Sequence, residues 1–508
     1  MLRTSNILVA ILSAGLLLGS DPDLRPQPVA PPAPALSDFD SDAGFTVSPP
    51  FESAAKALRE SDFDAVENTL EPLTAGAGET ALDAHLILGL AAHASERVER
   101  AERELRAAAD PGGPLEDWRL FILADCEAAL DRPSLALSAL SELVAQHATS
   151  PLLSRALLRG AEIAWDAGRV SATQAWISRA HALGIDSKLR PKLNGLEWRA
   201  AEKSGQIERT RRTARRLLIE APLLASRLGV AETFRRPDGT VPWNEILTPA
   251  ETIERASNLL RAGLESAALE TLKQVPMPAR DTDWRIEMAR ALTEDHRGKD
   301  ALELLSPSKV GSINGALGAR VNWQRAKAAL EAAAVRRHRR NLPLAKRQAL
   351  RRDARHDFIR VAAYSDDPTL TARALRHLFA DLAEEGEFER SLNVLRRLRR
   401  LDPTDTTGEE NLWERGWQAF ENGNSSGAIG YWSELEDIYP NSRRSRGAHY
   451  WSACAYQRLG DNDQATAIFS QIAAASTNDF YRRHALERLA RTSTKPLAIP
   501  SHETRQAL

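Results

Sequence analysis

The chain has 508 residues, 43% hydrophobic and 27% charged, with a formal net charge of −2. That length suffices for a large core or several domains, and the balance of charge excludes wholesale binding to polyanions or polycations. Ala, Leu, Arg and Glu dominate while alternating Val, Ile and Thr runs are scarce, which argues against strands and for an all-α fold.

Residues 1–20 read as a signal peptide. Arg3 supplies the charged region and Ile7 to Leu18 a short apolar core, shorter than the ~20 residues of a comfortable membrane span. Leu17-Leu18-Gly19-Ser20 has the outline of a lipoprotein box with serine in place of the lipidated cysteine. Cleavage near Gly19 or Ser20 is poorly marked, so retention as an anchor stays open, and the membrane is reached only through this segment. The expected location is the periplasm or cell envelope. Residues 21–50 hold eight prolines and read as an extended linker.

From residue 51 the pattern is helical and repeats. Residues 51–235 are expected to form an N-terminal solenoid, with Asp131, Gly168 and Gly205 standing 37 apart. Ser61, Val66 and Leu70 open the array, and Asp131, Ala136 and Leu140 share their spacing. Pro237-Asp238-Gly239-Thr240-Val241-Pro242 is a turn-rich break within 236–250. A central solenoid follows over 251–360, where Gly263, Ala268 and Leu272 restart the pattern. The C-terminal repeats occupy 361–490, and a tail closes 491–508. In the C-terminal repeats Gly386, Gly423 and Gly460 again stand 37 apart. Five residues on come Ser391, Ala428 and Ala465, and four further Leu395, Trp432 and Phe469. A self-similar period of roughly 20–50 residues marks a solenoid. Glycine suits the left-handed residue that ends a helix. The small residue lets two helices approach, and the large one fills the groove between them. Such a hairpin cannot bury its apolar face alone and must stack on neighbours.

No catalytic constellation of weight occurs: no His-Glu-x-x-His, no Gly-x-Ser-x-Gly, no phosphate loop. No cofactor or metal is implied. Cys126 and Cys454 sit in apolar helical runs and read as small buried hydrophobes. Three basic clusters stand out. Arg209, Arg211, Arg212, Arg215 and Arg216 form the first. The second, Arg336 to Arg355, carries nine Arg or Lys residues and one acid, Asp353. The third is Arg396, Arg397, Arg399 and Arg400. Each is either a solvated helix face paired with acids of adjacent repeats or a site for an anionic partner; the second, with least acid nearby, is the preferred candidate. Its expected binding residues are Arg336, Arg337, Arg339, Arg340, Arg347, Arg351 and Arg352, together with the faces of Trp413 and Trp451. The two tryptophans carry the competing reading of core packing. Nucleic acid is not an expected partner, since stacking aromatics are missing from the basic stretch.

Helical pairs with Gly416, Ala428, Trp432 and Pro440, then Ala453, Tyr456, Ala465 and Phe469, resemble tetratricopeptide repeats stretched to 37 residues. Tyr450-Trp451-Ser452-Ala453, Gly460, Ala465 and the run Phe480-Tyr481 through Ala485 to Leu489 resemble the helical superhelix of soluble lytic transglycosylases, with Cys454 where that family has arginine. This resemblance covers 410–490. It implies the non-catalytic, scaffold half of such an enzyme: Glu52-Ser53, Glu60-Ser61 and Glu265-Ser266 occur, but none is followed by the Gly-Leu-Met-Gln of the catalytic domain, and no catalytic residue is carried over. It also implies a glycan strand as ligand, or a chain whose catalytic half is encoded elsewhere. Tyr439-Pro440-Asn441-Ser442 with Ala448, Tyr450 and Gly460 is similar, in turn, to envelope tetratricopeptide proteins that assemble outer-membrane proteins or coordinate wall synthesis with division. The expected partner is therefore peptidoglycan or an envelope protein, and the expected fold an α-solenoid.

Overall fold

The computed structural model describes residues 49–311, 313–334, 342–474 and 480–490. The expected signal peptide, most of the expected linker, the tail, and Arg336, Arg337, Arg339 and Arg340 lie outside the described residues. Within them the chain is α-helical, with short 3-10 segments and no strand. No described helix is long and apolar enough to cross a membrane. Pro49 and Pro50 belong to the first helix, Pro49–Arg59, rather than to a linker, as fits proline's tolerance at a helix start.

The structure is an α-solenoid of antiparallel helical hairpins, and it divides into two compact units at Gly263/Leu264. In the first unit, helices Pro49–Arg59 and Phe63–Thr74 pair, then Glu79–Ala94 with Val98–Ala107, Glu116–Ala129 with Pro133–Gln146, Leu153–Asp166 with Val170–Leu183, and Arg190–Lys203 with Ile207–Glu220. The second unit pairs Thr282–Glu294 with Gly298–Leu304, the longer Gly315–Ala333 with Leu344–Tyr364, then Pro368–Glu384 with Phe388–Leu401, Glu409–Glu421 with Ser425–Ile438, and Arg443–Leu459 with Asn462–Ala474. The boundary expected between 360 and 361 falls inside helix Leu344–Tyr364.

One turn geometry recurs. Its central residue is left-handed, with φ from 56° at Asp131 to 82° at Gly460. The next residue's N–H donates to the carbonyl five positions back, as in Arg132 N to Glu127 O at 2.8 Å and Asn424 N to Ala419 O at 2.9 Å. That bond satisfies a carbonyl left open at the end of the first helix. Residues five and nine past the turn are buried: Val66 and Leu70, Ala136 and Leu140, Thr173 and Ile177, Ser391 and Leu395, Ala428 and Trp432, Ala465 and Phe469. Two turns use residues that the glycine pattern does not reveal, Glu96 at φ 60° and His296 at 64°. Both keep the rule, with Ala101 and Leu105, and Ala301 and Leu305, all buried.

The turn-rich stretch 236–240 is itself exposed, and the elements on either side of it are packed. Val230–Phe234 forms a 3-10 helix and Trp243–Ile246 a short α-helix. Val230, Ile246 and Leu247 are buried with Trp198, Leu217 and Leu218 in one cluster. Buried apolar residues before and after the turn fold the chain back onto the hairpin Arg190–Lys203 and Ile207–Glu220.

Candidate functional site

Trp413 and Trp451 are 2% and 4% exposed, so neither offers a face to a ligand. They pack with Trp417, Trp432 and Phe420, Trp417 standing 4.7 Å from Trp451 and 5.8 Å from Trp413 between ring centroids. The expectation of a binding surface there is corrected to a core: the helical spacing that puts Trp413 beside Trp417 turns both toward the neighbouring hairpin.

Two of the five cations in the described part of the second basic stretch are paired. Arg351 pairs with Glu384 at 3.1 Å, and Arg355 with Asp381, Glu385 and, at 3.5 Å, Glu387. Arg355's guanidinium is held above its ordinary pKa, because hydrogen bonds and charge from these acids outweigh the burial that opposes it. Arg347 is half-buried and Arg352 exposed. The acids lie on the next hairpin, some thirty residues along, where a reading of local composition does not find them. Arg396 likewise contacts Glu434 at 2.6 Å. Arg399 donates to Ile438 O at 3.2 Å and to Asp405 O at 3.0 Å, and lies 4.8 Å over the Tyr439 ring. In both clusters arginine staples one hairpin to the next.

The first cluster differs. Helix Ile207–Glu220 buries Thr210, Thr213, Ala214, Leu217 and Leu218 and turns Glu208, Arg211, Arg212 and Arg215 outward. Beside these residues the folded-back segment completes a cleft of about 610 Å³, adding Arg235 and Arg236 with Phe234 and Ile246. Arg209 is tied to Glu197 at 2.9 Å and Arg215 to Glu251 at 2.6 Å. Arg235 pairs with Glu232, and Arg236 with Glu245. Hydrogen bonds to these acids raise both arginines above the ordinary guanidinium value. Arg211 and Arg212 are exposed and have no partner among the described residues. A second cleft, about 730 Å³ beside the start of helix Gly315–Ala333, holds Arg325 and Arg360. Both sit near the buried Asp357, at 3.3 and 3.9 Å.

Sequence reasoning found Arg211, Arg212 and Arg215 but not Arg235 and Arg236, because a turn-rich stretch was read as a break. The buried Ile246-Leu247 pair was the available signal. His85–Glu104, His181–Glu197 and His449–Glu436, at 2.7, 3.1 and 2.9 Å, tie neighbouring helices together. Both cysteines are free and buried, and burial pushes each thiol up to about 12, far from a reactive thiolate. No group of three or more His, Cys, Asp or Glu among the described residues could hold a metal ion.

The tetratricopeptide repeat family matches residues 448–475, the last full hairpin. No curated protein matches the chain. Solved structures similar to it include the human IFIT1 dimer with m7Gppp-AAAA, at 15% identity over 75% of this chain and 94% of that one with a TM-score of 0.28. The P58(IPK) TPR domain is 14% identical over 80% and 97% of the two chains, with a TM-score of 0.21. The Cut9–Hcn1 hetero-tetramer of the APC/C is 12% identical over 87% and 96%, with a TM-score of 0.25. Scores at this level support no statement about function, and the helical-repeat fold stands on the helices themselves. The described residues form a helical-repeat solenoid, of which 448–475 match the tetratricopeptide repeat family.

Proposed function

We propose that the chain is an exported, non-catalytic scaffold of the cell envelope that binds a protein partner. The supporting observation is the stack itself: hairpin after hairpin closes the same turn, buries the same two positions and presents charged helix faces, an architecture that builds wide preformed surfaces. Export rests on the apolar run Ile7 to Leu18 behind Arg3. Peptidoglycan is the weaker occupant, since the tryptophans that would stack on sugar rings belong to the core. The resemblance to a transglycosylase superhelix supports a scaffold role only, and a split or truncated enzyme gains nothing further from the fold.

The test has three arms. A reporter fused after residue 50 is exported in a bacterial host; retention in the cytoplasm removes the envelope reading. Cross-linked complexes of the full chain are purified from envelope extracts, and a reproducible, stoichiometric protein partner is expected. The purified chain is incubated with insoluble peptidoglycan. Neither pelleting nor release of anhydro-muropeptides is expected. Pelleting without release would move the reading to a glycan-binding scaffold, and release would overturn the non-catalytic one.

A further inference from the structure

We infer that the cleft between helix Ile207–Glu220 and the folded-back segment 230–246 takes an acidic peptide segment of the partner. This rests on the protein-scaffold reading and adds to it a place and a chemistry. Five arginines line or rim the cleft, and they divide into two sets. Arg215, Arg235 and Arg236 are held by Glu251, Glu232 and Glu245. Arg211 and Arg212 are held by nothing described, with Glu208 one turn before them on the same face. The four glutamates and Asp238, whose charge also acts on Arg236, offset the positive charge, so long-range attraction is small. Selectivity falls to the two open guanidinium forks, whose planar donors match a carboxylate two bonds at a time.

The cleft is built rather than incidental. Its far wall is fixed by Trp198 Nε1 donating to Thr233 Oγ1 at 3.1 Å, and by the buried Val230 and Ile246. The 236–240 turn closes on itself: Arg236 N donates to Thr240 O at 2.8 Å and Gly239 N to Arg236 O at 2.9 Å. Within that turn the Asp238 carboxylate accepts from Thr240 N at 2.9 Å. Arg235 is bound both to Glu232 and to the Gly239 carbonyl. Side chains already ordered lose less freedom when a ligand arrives. Phe234, Pro237, Pro242 and Ile246 give the floor an apolar component, which suits a peptide whose carboxylates alternate with apolar side chains. A single-stranded nucleic acid is held by stacking aromatic rings as well as charge, and Phe234, half-buried, is the one aromatic ring in the lining.

The probe is a fluorescein-labelled peptide of eight glutamates, compared with eight glutamines, titrated with the full chain and followed by anisotropy. The glutamate peptide is expected to bind and to weaken as sodium chloride rises, since exposed charges are screened. R211Q/R212Q is expected to weaken it by about tenfold or more, as loss of charge-assisted hydrogen bonds implies. The charge-matched control R103Q/R190Q, at exposed positions elsewhere on the first unit, is expected to leave it unchanged. Equal affinity for the two peptides, or an unaltered affinity in R211Q/R212Q, overturns the assignment. Tighter binding of a labelled single-stranded oligothymidine than of the glutamate peptide overturns it in favour of nucleic acid. If the glutamate peptide fails while R211Q/R212Q still captures the wild type's envelope partner, the cleft is wrong and the scaffold reading stands. If the wild type captures no partner at all, the scaffold reading itself fails.

Discussion

The hairpins of 79–146 and those of 409–474 close the same turn and join their neighbours by different chemistry. In the first, charge is buried: Glu116 and Arg119, one turn apart on helix Glu116–Ala129, are 2% and 7% exposed at the side chain and 2.5 Å apart, and Arg119 donates to the Leu105 carbonyl of the preceding hairpin at 3.0 Å. Glu127, 1% exposed, meets Arg106 and Arg132. In the second, Trp417, Phe420 and Trp432 are fully buried and Trp413 and Trp451 nearly so. The repeat therefore constrains little: a left-handed turn residue, and a buried pair five and nine positions beyond it. What fills the remaining space between hairpins is free to be an ion pair or an indole.

The largest effects should come from breaking each filling. Trp417→Ala is expected to cost about 3–5 kcal/mol through the cavity it leaves. Arg119→Ala is expected to cost a similar ~3–5 kcal/mol, because Glu116 stays buried with its charge uncompensated and the Leu105 carbonyl loses the donor now 3.0 Å away. The two regions should part company on repair. Replacing both members of the pair, Arg119→Met with Glu116→Leu, should recover most of the loss, as apolar replacement of a buried pair does elsewhere. No single neighbouring change offers the same rescue for Trp417→Ala. Hydrogen exchange along each array reads these losses locally. A double replacement as unstable as Arg119→Ala would show the ion pair to be a net source of stability and remove the contrast.

Next in size are the close approaches that both regions share. A Cβ on Gly160 would stand 2.5 Å from the Trp176 ring, and one on Gly416 2.2 Å from Trp432 Nε1. Each glycine lies sixteen residues before its tryptophan, on the facing helix of its hairpin. Alanine at either is expected to destabilise by about 1–3 kcal/mol through overpacking. Gly430→Ala, in a helix with nothing within 4 Å of the added carbon, should instead stabilise by about 0.5–1 kcal/mol. Thermal melts of the three variants check the sign, and destabilisation by Gly430→Ala would mean the cost is not steric.

How far the sequence was legible follows the same line. Gly386, Gly423 and Gly460 announced their hairpins because glycine is the residue that takes a left-handed turn without strain. Glu96 and His296 make the same turn and went unread, since local propensity favours neither there, although Ala101 with Leu105 and Ala301 with Leu305 kept the buried spacing. The site was less legible still. Arginine clusters are visible in one dimension, but the acids that cancel them, Glu384 for Arg351 and Glu434 for Arg396, arrive from the next hairpin. The cleft depends on a fold-back that turn residues disguised. The turns themselves give a third test. Glu96→Gly should stabilise and Gly423→Ala destabilise, each by about 1 kcal/mol, the cost of a Cβ in the left-handed region; equal melting of Glu96→Gly and wild type would show that the fold relieves this strain in another way.

The smallest effect separates one histidine in each unit, with opposite signs. His449 is raised above its ordinary value, chiefly by its hydrogen bond to Glu436 and against the pull of burial. Its contribution is fully present below the unfolded value of about 6.5 and is lost as pH rises through the raised folded value. His93 is lowered by burial, with Asp125 opposing in part. Protonating it in the folded state is unfavourable, so stability is lost as pH falls from about 6.5 through the lowered folded value. Both groups keep some solvent contact, so each difference should stay below about 1 kcal/mol. His449→Gln should therefore be more destabilising relative to wild type at pH 5.5 than at pH 7.5. His93→Gln should show the reverse, gaining on wild type as the pH falls. Melting the two variants and the parent at both values tests the pair together. Parallel shifts would mean that neither environment discriminates between the protonation states, and the hydrogen bond to Glu436 would then be a tie between helices indifferent to charge.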